Sequence, residues 1–109
     1  MDFNELRKQV QNLAFGEIRV NTDNCFEAVT TANDMAALTS LMEKFLGQPV
    51  FPSAAPLSAA IQTATQRYGG VNDGQILYYL SHGTSVVFAM FWPWADKVHV
   101  TLKLVRLIM

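Results

Sequence analysis

Three side chains in this chain could do covalent or acid–base chemistry: Cys25, His82 and His99. A thiol becomes a nucleophile only when a nearby base or cation lowers its pKa, so Cys25 would need one of the histidines beside it. Nothing in the spacing places them together. Cys25, followed by Phe26, reads as a small buried residue. His82 in "SHGT" reads as a turn histidine, and His99 as an outward strand residue beside lysines. One cysteine and two distant histidines lack the close ligand spacing of a zinc site. The nine acids are scattered from Asp2 to Asp96, and no pair suggests general acid–base work. The glycine-rich "YGGVNDGQ" follows a helix and opens a strand, the reverse of a phosphate loop, and it has no lysine. It reads as a helix stop plus a turn. No catalytic residue, metal or cofactor is therefore assigned, and the chain reads as non-catalytic.

Charge excludes a further class. The net charge is −1, with Asp96 against Lys97, Lys103 and Arg106 in the last third. That surplus is too thin for a phosphate-tracking surface, so nucleic acid is not an expected partner. The apolar run from Val86 to Ala95 is broken by Pro93 and falls short of the roughly 18–20 residues of a helical membrane span. "MDFNELRKQV" lacks the apolar stretch of a secretory signal, and a single cysteine asks for no oxidising compartment. A cytoplasmic protein is the expectation. The 109 residues, half of them hydrophobic, suit one domain with its own core.

The elements that must position these residues follow from apolar spacing. Phe3, Leu6, Val10 and Leu13 recur at helical intervals, with Asp2 and Glu5 placed as a capping box and Gly16 after the end. "NDMAALTSLMEKFLG" places Met35, Leu38, Leu41, Met42 and Phe45 on one stripe, starting at Asn33 or Asp34 and ending at Gly47. A third helix is predicted from near Pro56 through Leu57, Ile61, Ala64 and Tyr68 to Gly69. "GQPVFPSAAP" is a stiff connector. Residues 17–30 read as a hairpin around "NTDN", with a helical turn over 25–30 as the alternative.

From Gln75 the period becomes two. Strands are predicted over 76–80, 85–92 and 97–105, joined by short turns into an antiparallel meander. The fold class is α+β, about three helices packed on one face of an antiparallel sheet. The predicted register sets Trp92 opposite Val98 and Met90 opposite Val100, which points Val86, Phe88, Met90 and Trp92 at the helices. A slip by one residue would put Phe88, Met90 and Trp92 beside lysines and flip every side chain. "FWPWAD" reads as a loop around a trans Pro93, with Trp94 at its tip.

That register leaves Ile76, Tyr78, Val87 and Phe91 on an outer face of about 300 Å², with His99 and Lys103 at its margin. An apolar patch of this size is covered by something. The candidates are a helix, a second copy of the chain or a ligand. The leading expectation is a self-associating adaptor, a homodimer that meets its copy or another protein through this face and Trp94. The alternative is a binder of a small apolar or amphipathic anionic ligand in a helix–sheet pocket, with His99 and Lys103 holding the head group.

Overall fold

The computed structural model describes residues 2–13, 17–53 and 56–108. Gly16, the expected end of the first helix, lies outside them. The first helix, α1 (Phe3–Gln11), starts where Asp2 accepts the Glu5 N–H, and it buries Phe3, Leu6 and Val10. Its acidic cap answers the orphan amides of a helix start. Residues 17–31 form a hairpin of β1 (Glu17–Asn21) and β2 (Cys25–Thr31), which removes the helical-turn alternative. The Thr22 hydroxyl accepts the Asn24 and Cys25 N–H groups and so closes the turn.

A short 3-10 turn over Ala32–Asp34 leads into α2 (Met35–Leu46). Asp34 precedes the helix without capping it; its carboxylate turns back and accepts from the Thr30 hydroxyl instead. α2 buries Leu38, Met42 and Leu46 and ends at Gly47. The third helix, α3 (Ala59–Gln66), begins later than the Pro56 expected from sequence, because the Ser58 hydroxyl accepts the Ile61 N–H and sets the start. It stops where Gly70 donates back to Thr65, so "YGG" is the stop its composition suggested.

Three strands complete the sheet: β3 (Ile76–His82), β4 (Ser85–Pro93) and β5 (His99–Ile108). The β3–β4 turn is only Gly83–Thr84, with Gly83 at φ +60°, where a type II′ hairpin wants glycine. All pairings are antiparallel, in the order β1-β2-β5-β4-β3, so the expected C-terminal meander is present and the first hairpin extends it through β2 against β5.

The structure departs from expectation at the β4–β5 register. Trp92 pairs with Thr101 and Met90 with Lys103, three residues beyond the predicted match. An odd displacement exchanges the two faces. The loop is the cause. Lys97 donates to the Trp94 carbonyl and takes φ +61°, while the Asp96 carboxylate accepts the Val98 and His99 N–H groups. Those bonds hold residues through Val98 in the turn, so β5 begins at His99.

The helices also divide between the faces. α1 and α2 cover the side that presents Phe26, Tyr78, Val87, Phe91, Leu102 and Leu104. α3 and the connector cover the other, packing Ala64, Ile61 and Tyr68 on Leu77, Phe88, Met90 and Val105. β4 therefore meets protein on both sides, which is why it is apolar at nearly every position. The Phe51–Pro52 peptide in that connector is cis, and Phe51 pairs with Leu77 along the outer edge of β3.

Candidate functional site

The three reactive side chains stay apart. Cys25 pairs with Val105 at one end of the β2–β5 ladder, and His99 pairs with Thr31 at the other. Six residues of strand separate them, about 20 Å. His82 is exposed at the end of β3. Burial pushes the Cys25 thiol above its ordinary pKa, Glu27 adds to the rise, and Lys103 opposes it. This is the environment of an inert thiol rather than of a nucleophile. Among the described residues, no three His, Cys, Asp or Glu side chains cluster closely enough to hold a metal ion.

The outer face expected to wait for a partner is filled by the chain itself. Tyr78, Val87 and Phe91 lie in the core under α1 and α2, with Tyr78 and Phe91 edge to face at 6.1 Å. Ile76 is half-buried at the rim of the same cluster. Of the three candidate covers, the helices occupy it. His99 and Lys103 do not border this face. The displaced register sends them to the opposite side, so the pocket with a Tyr78, Val87 and Phe91 floor and a His99 and Lys103 margin does not form.

Lys103 instead belongs to a circuit of charges and indoles on the second face. Its ammonium sits 4.1 Å from the Trp92 ring centroid and 3.6 Å from a Glu27 carboxylate oxygen. Glu27 also meets Arg19 at 4.0 Å, and the Arg19 guanidinium stands 5.9 Å from the Trp94 ring centroid. The Trp94 indole donates to the Thr101 hydroxyl at 2.8 Å and packs against the His99 ring, whose Nδ1 contacts Asp96. Arg19 reaches this circuit because the β1–β2 register shifts between Ile18 and Val20. Trp94 remains partly exposed, as expected of a loop tip, but its polar edge is satisfied inside the fold. The circuit takes three of the expected candidates and joins two of them, Trp94 and His99, in direct contact.

Trp92 was not among the expected site residues, and it carries an unmet need. Its Nε1 is buried and has no hydrogen-bond partner among the described residues. A buried donor without an acceptor costs about 1–3 kcal/mol.

On the same side of the sheet, α3 borders an open cleft of about 450 Å³ with Phe51, Leu57, Gly70 and Val71. Phe51, Leu57 and Val71 give it apolar walls, Gln62 and Gln66 bring amides, and Thr65 and Gly70 complete the lining. The Gln62 amide donates to the Leu57 carbonyl and ties the first turn of α3 to the residue before its cap. The sequence signal for this site was faint. Phe51 and Val71 stand in segments that composition marks as linker and turn, and large apolar residues there have no helix or strand of their own to explain them.

No protein-family model, no curated protein and no solved structure matches the chain.

Proposed function

We propose that this protein is a non-catalytic binding module that takes a small amphipathic molecule into the cleft that α3 lines together with Phe51, Leu57 and Val71. The observation that carries this reading is the cleft itself. Its volume of about 450 Å³ falls within the range of small-molecule pockets, roughly 300–1,000 Å³. Its walls combine three apolar side chains with two side-chain amides, the mixture such pockets use to hold an apolar body and orient a polar end. The scattered placement of Cys25, His82 and His99 favours binding over catalysis. The lone, half-buried thiol suits the reducing interior of a cell. Self-association through Ile76, Tyr78, Val87 and Phe91 is not part of the proposal, because those side chains are used inside the fold.

The test is a melting-temperature screen with decanoate, decanol and decylammonium. A ligand of the native state raises stability by RT ln(1 + [L]/Kd), about 2.7 kcal/mol at a hundredfold excess over Kd. At least one probe is expected to raise the melting temperature. Gln66→Trp, at an exposed position on the cleft wall, is expected to remove that rise while leaving the melting temperature of the free protein within about 2 °C of wild type. A screen in which no probe shifts the transition, or one in which Gln66→Trp leaves the shift intact, overturns the assignment.

A further inference from the structure

We propose a second binding site, independent of the cleft and on the other face of the sheet: a small pocket that takes a carboxylate with a short apolar stub, held by Arg106. The antiparallel register builds it. Arg106 on β5 stands opposite Val87 on β4, and Val87 opposite Leu80 on β3, so the three share one row on the face that α1 and α2 cover. His82 and Ser85 pair two residues further along, which returns them to that same face. Phe3, the first residue of α1, completes the lining of a pocket of about 80 Å³.

Arg106 is held in place before any ligand arrives. Its Nε and Nη2 donate to the Asn24 side-chain oxygen at 3.2 and 3.1 Å, and Nη2 also donates to the Asp23 carbonyl at 3.0 Å. Its guanidinium carbon lies 5.1 Å from the Phe3 ring centroid. These partners are neutral. Among the described residues no carboxylate pairs with Arg106, and its Nη1 makes no hydrogen bond. A guanidinium carries five N–H groups and cannot give up its charge, so the two on Nη1 and the charge itself remain unanswered. The acids adjoining the site in the chain are engaged elsewhere: the Asp2 carboxylate accepts the Glu5 N–H, and that of Asp23 meets Arg7 at 3.6 Å.

Size and donors choose the ligand. A water takes about 30 Å³ of the liquid, so the pocket holds the volume of about three waters, a group of a few heavy atoms. Phe3, Leu80 and Val87 offer that group apolar surface. The Ser85 hydroxyl donates to the His82 carbonyl and has no proton left for an anion. The donors are then one guanidinium nitrogen and the His82 imidazole. They match a singly charged carboxylate on a methyl or ethyl stub. A phosphate dianion would bring more charge and more acceptor oxygens than the site can answer.

Proton–nitrogen and methyl spectra of the labelled protein test this with propionate, propylammonium and inorganic phosphate. Propionate is expected to bind with a Kd of about 1–10 mM, in keeping with so few atoms. It should move the Arg106 Nε–H signal and the Leu80 and Val87 methyl signals, and leave the Gln62 and Gln66 side-chain amides in place. Propylammonium should move none of them. Arg106→Gln is expected to weaken propionate about tenfold, and Arg106→Lys, which keeps the charge but loses the planar fork, about threefold. Gln66→Trp should leave the propionate response unchanged, which separates this site from the cleft. The inference is overturned if propionate moves none of these signals, if propylammonium moves them equally, or if phosphate moves them at lower concentration than propionate. It is overturned equally if folded Arg106→Gln keeps the wild-type affinity or if Gln66→Trp abolishes the response. The wild-type spectra decide the matter even if Arg106→Gln does not fold.

Discussion

The Lys103 ammonium stands 4.1 Å over the Trp92 ring, on the face that α3 shares, and pairs there with Glu27 across the β2–β5 ladder. A lysine beside large apolar side chains looks wasteful in a sequence. Here its stem covers the sheet while its head meets an aromatic face and a carboxylate, so both are mostly withdrawn from water. Met90, directly opposite Lys103, stays fully buried.

Replacing Lys103 with Met should therefore cost stability although Met is the more apolar residue. The expected loss is about 1–2 kcal/mol by chemical denaturation, the sum of a partly buried ion pair and a cation–π contact. Removing both partners in Lys103→Met/Glu27→Gln should cost less than the two single losses added together, because each single change strands a charge. Strict additivity in that double-mutant cycle would show that the pair contributes nothing.

Phe91→Lys distinguishes a core face from a docking face. Phe91, on β4, is fully buried in the core under α1 and α2, so the substitution removes a ring and buries an unpaired ammonium. Loss of the ring alone costs about 3–5 kcal/mol, against a total stability of about 5–15 kcal/mol for a typical domain. The expected result is a chain that fails to give a cooperative thermal transition. A well-folded monomer would mean that this face is open to water.

Cys25 should alkylate slowly. Its thiol pKa is raised, first by burial and then by Glu27, so little thiolate is present at neutral pH. Iodoacetamide at pH 7.5 is expected to react at least tenfold slower with the folded protein than with the protein in urea, and Cys25→Ser should lose no binding of the probes that the wild type takes up. A folded-state rate equal to or faster than the unfolded one would restore the nucleophile reading.

The β4–β5 loop should respond to strong acid. Hydrogen bonds from the His99 and Val98 backbone and from the His99 ring lower the Asp96 pKa from 3.8 to about 2. A carboxylate depressed in the folded state contributes stability that is fully present above its unfolded pKa. That contribution is lost as the pH falls from about 4 through about 2. Amide signals of Val98 and His99 should therefore titrate with a midpoint near 2, and Asp96→Asn should abolish the titration. A midpoint near 4 would mean that the capping bonds are absent in solution.

Local patterns in the sequence were enough for the elements. Helix stripes such as Leu38, Met42 and the buried Phe3, Leu6 and Val10 recur at helical spacing wherever a helix meets a core, and Gly47 and Gly83 stand where helix ends and tight turns need them. The class, three helices with an antiparallel sheet and a C-terminal meander, follows from such short-range signals.

Which face of each strand meets which helix was decided only in three dimensions. β4 is apolar on both sides, so its own pattern does not choose a register, and the alternation in β5 favoured the one that keeps Lys103 away from Met90 and Trp92, which the fold does not adopt. The register is set by Asp96, whose two backbone hydrogen bonds set the length of the loop, and by α3, which crosses to the face opposite α1 and α2. Once that choice is made, Tyr78, Val87 and Phe91 become core, and Lys103 comes to lie over Trp92. The cleft beside Gly70 arises between a connector and a short helix that have no periodic relation to each other. Composition determines that such residues exist; their meeting depends on contacts between segments that the chain brings together only when it folds.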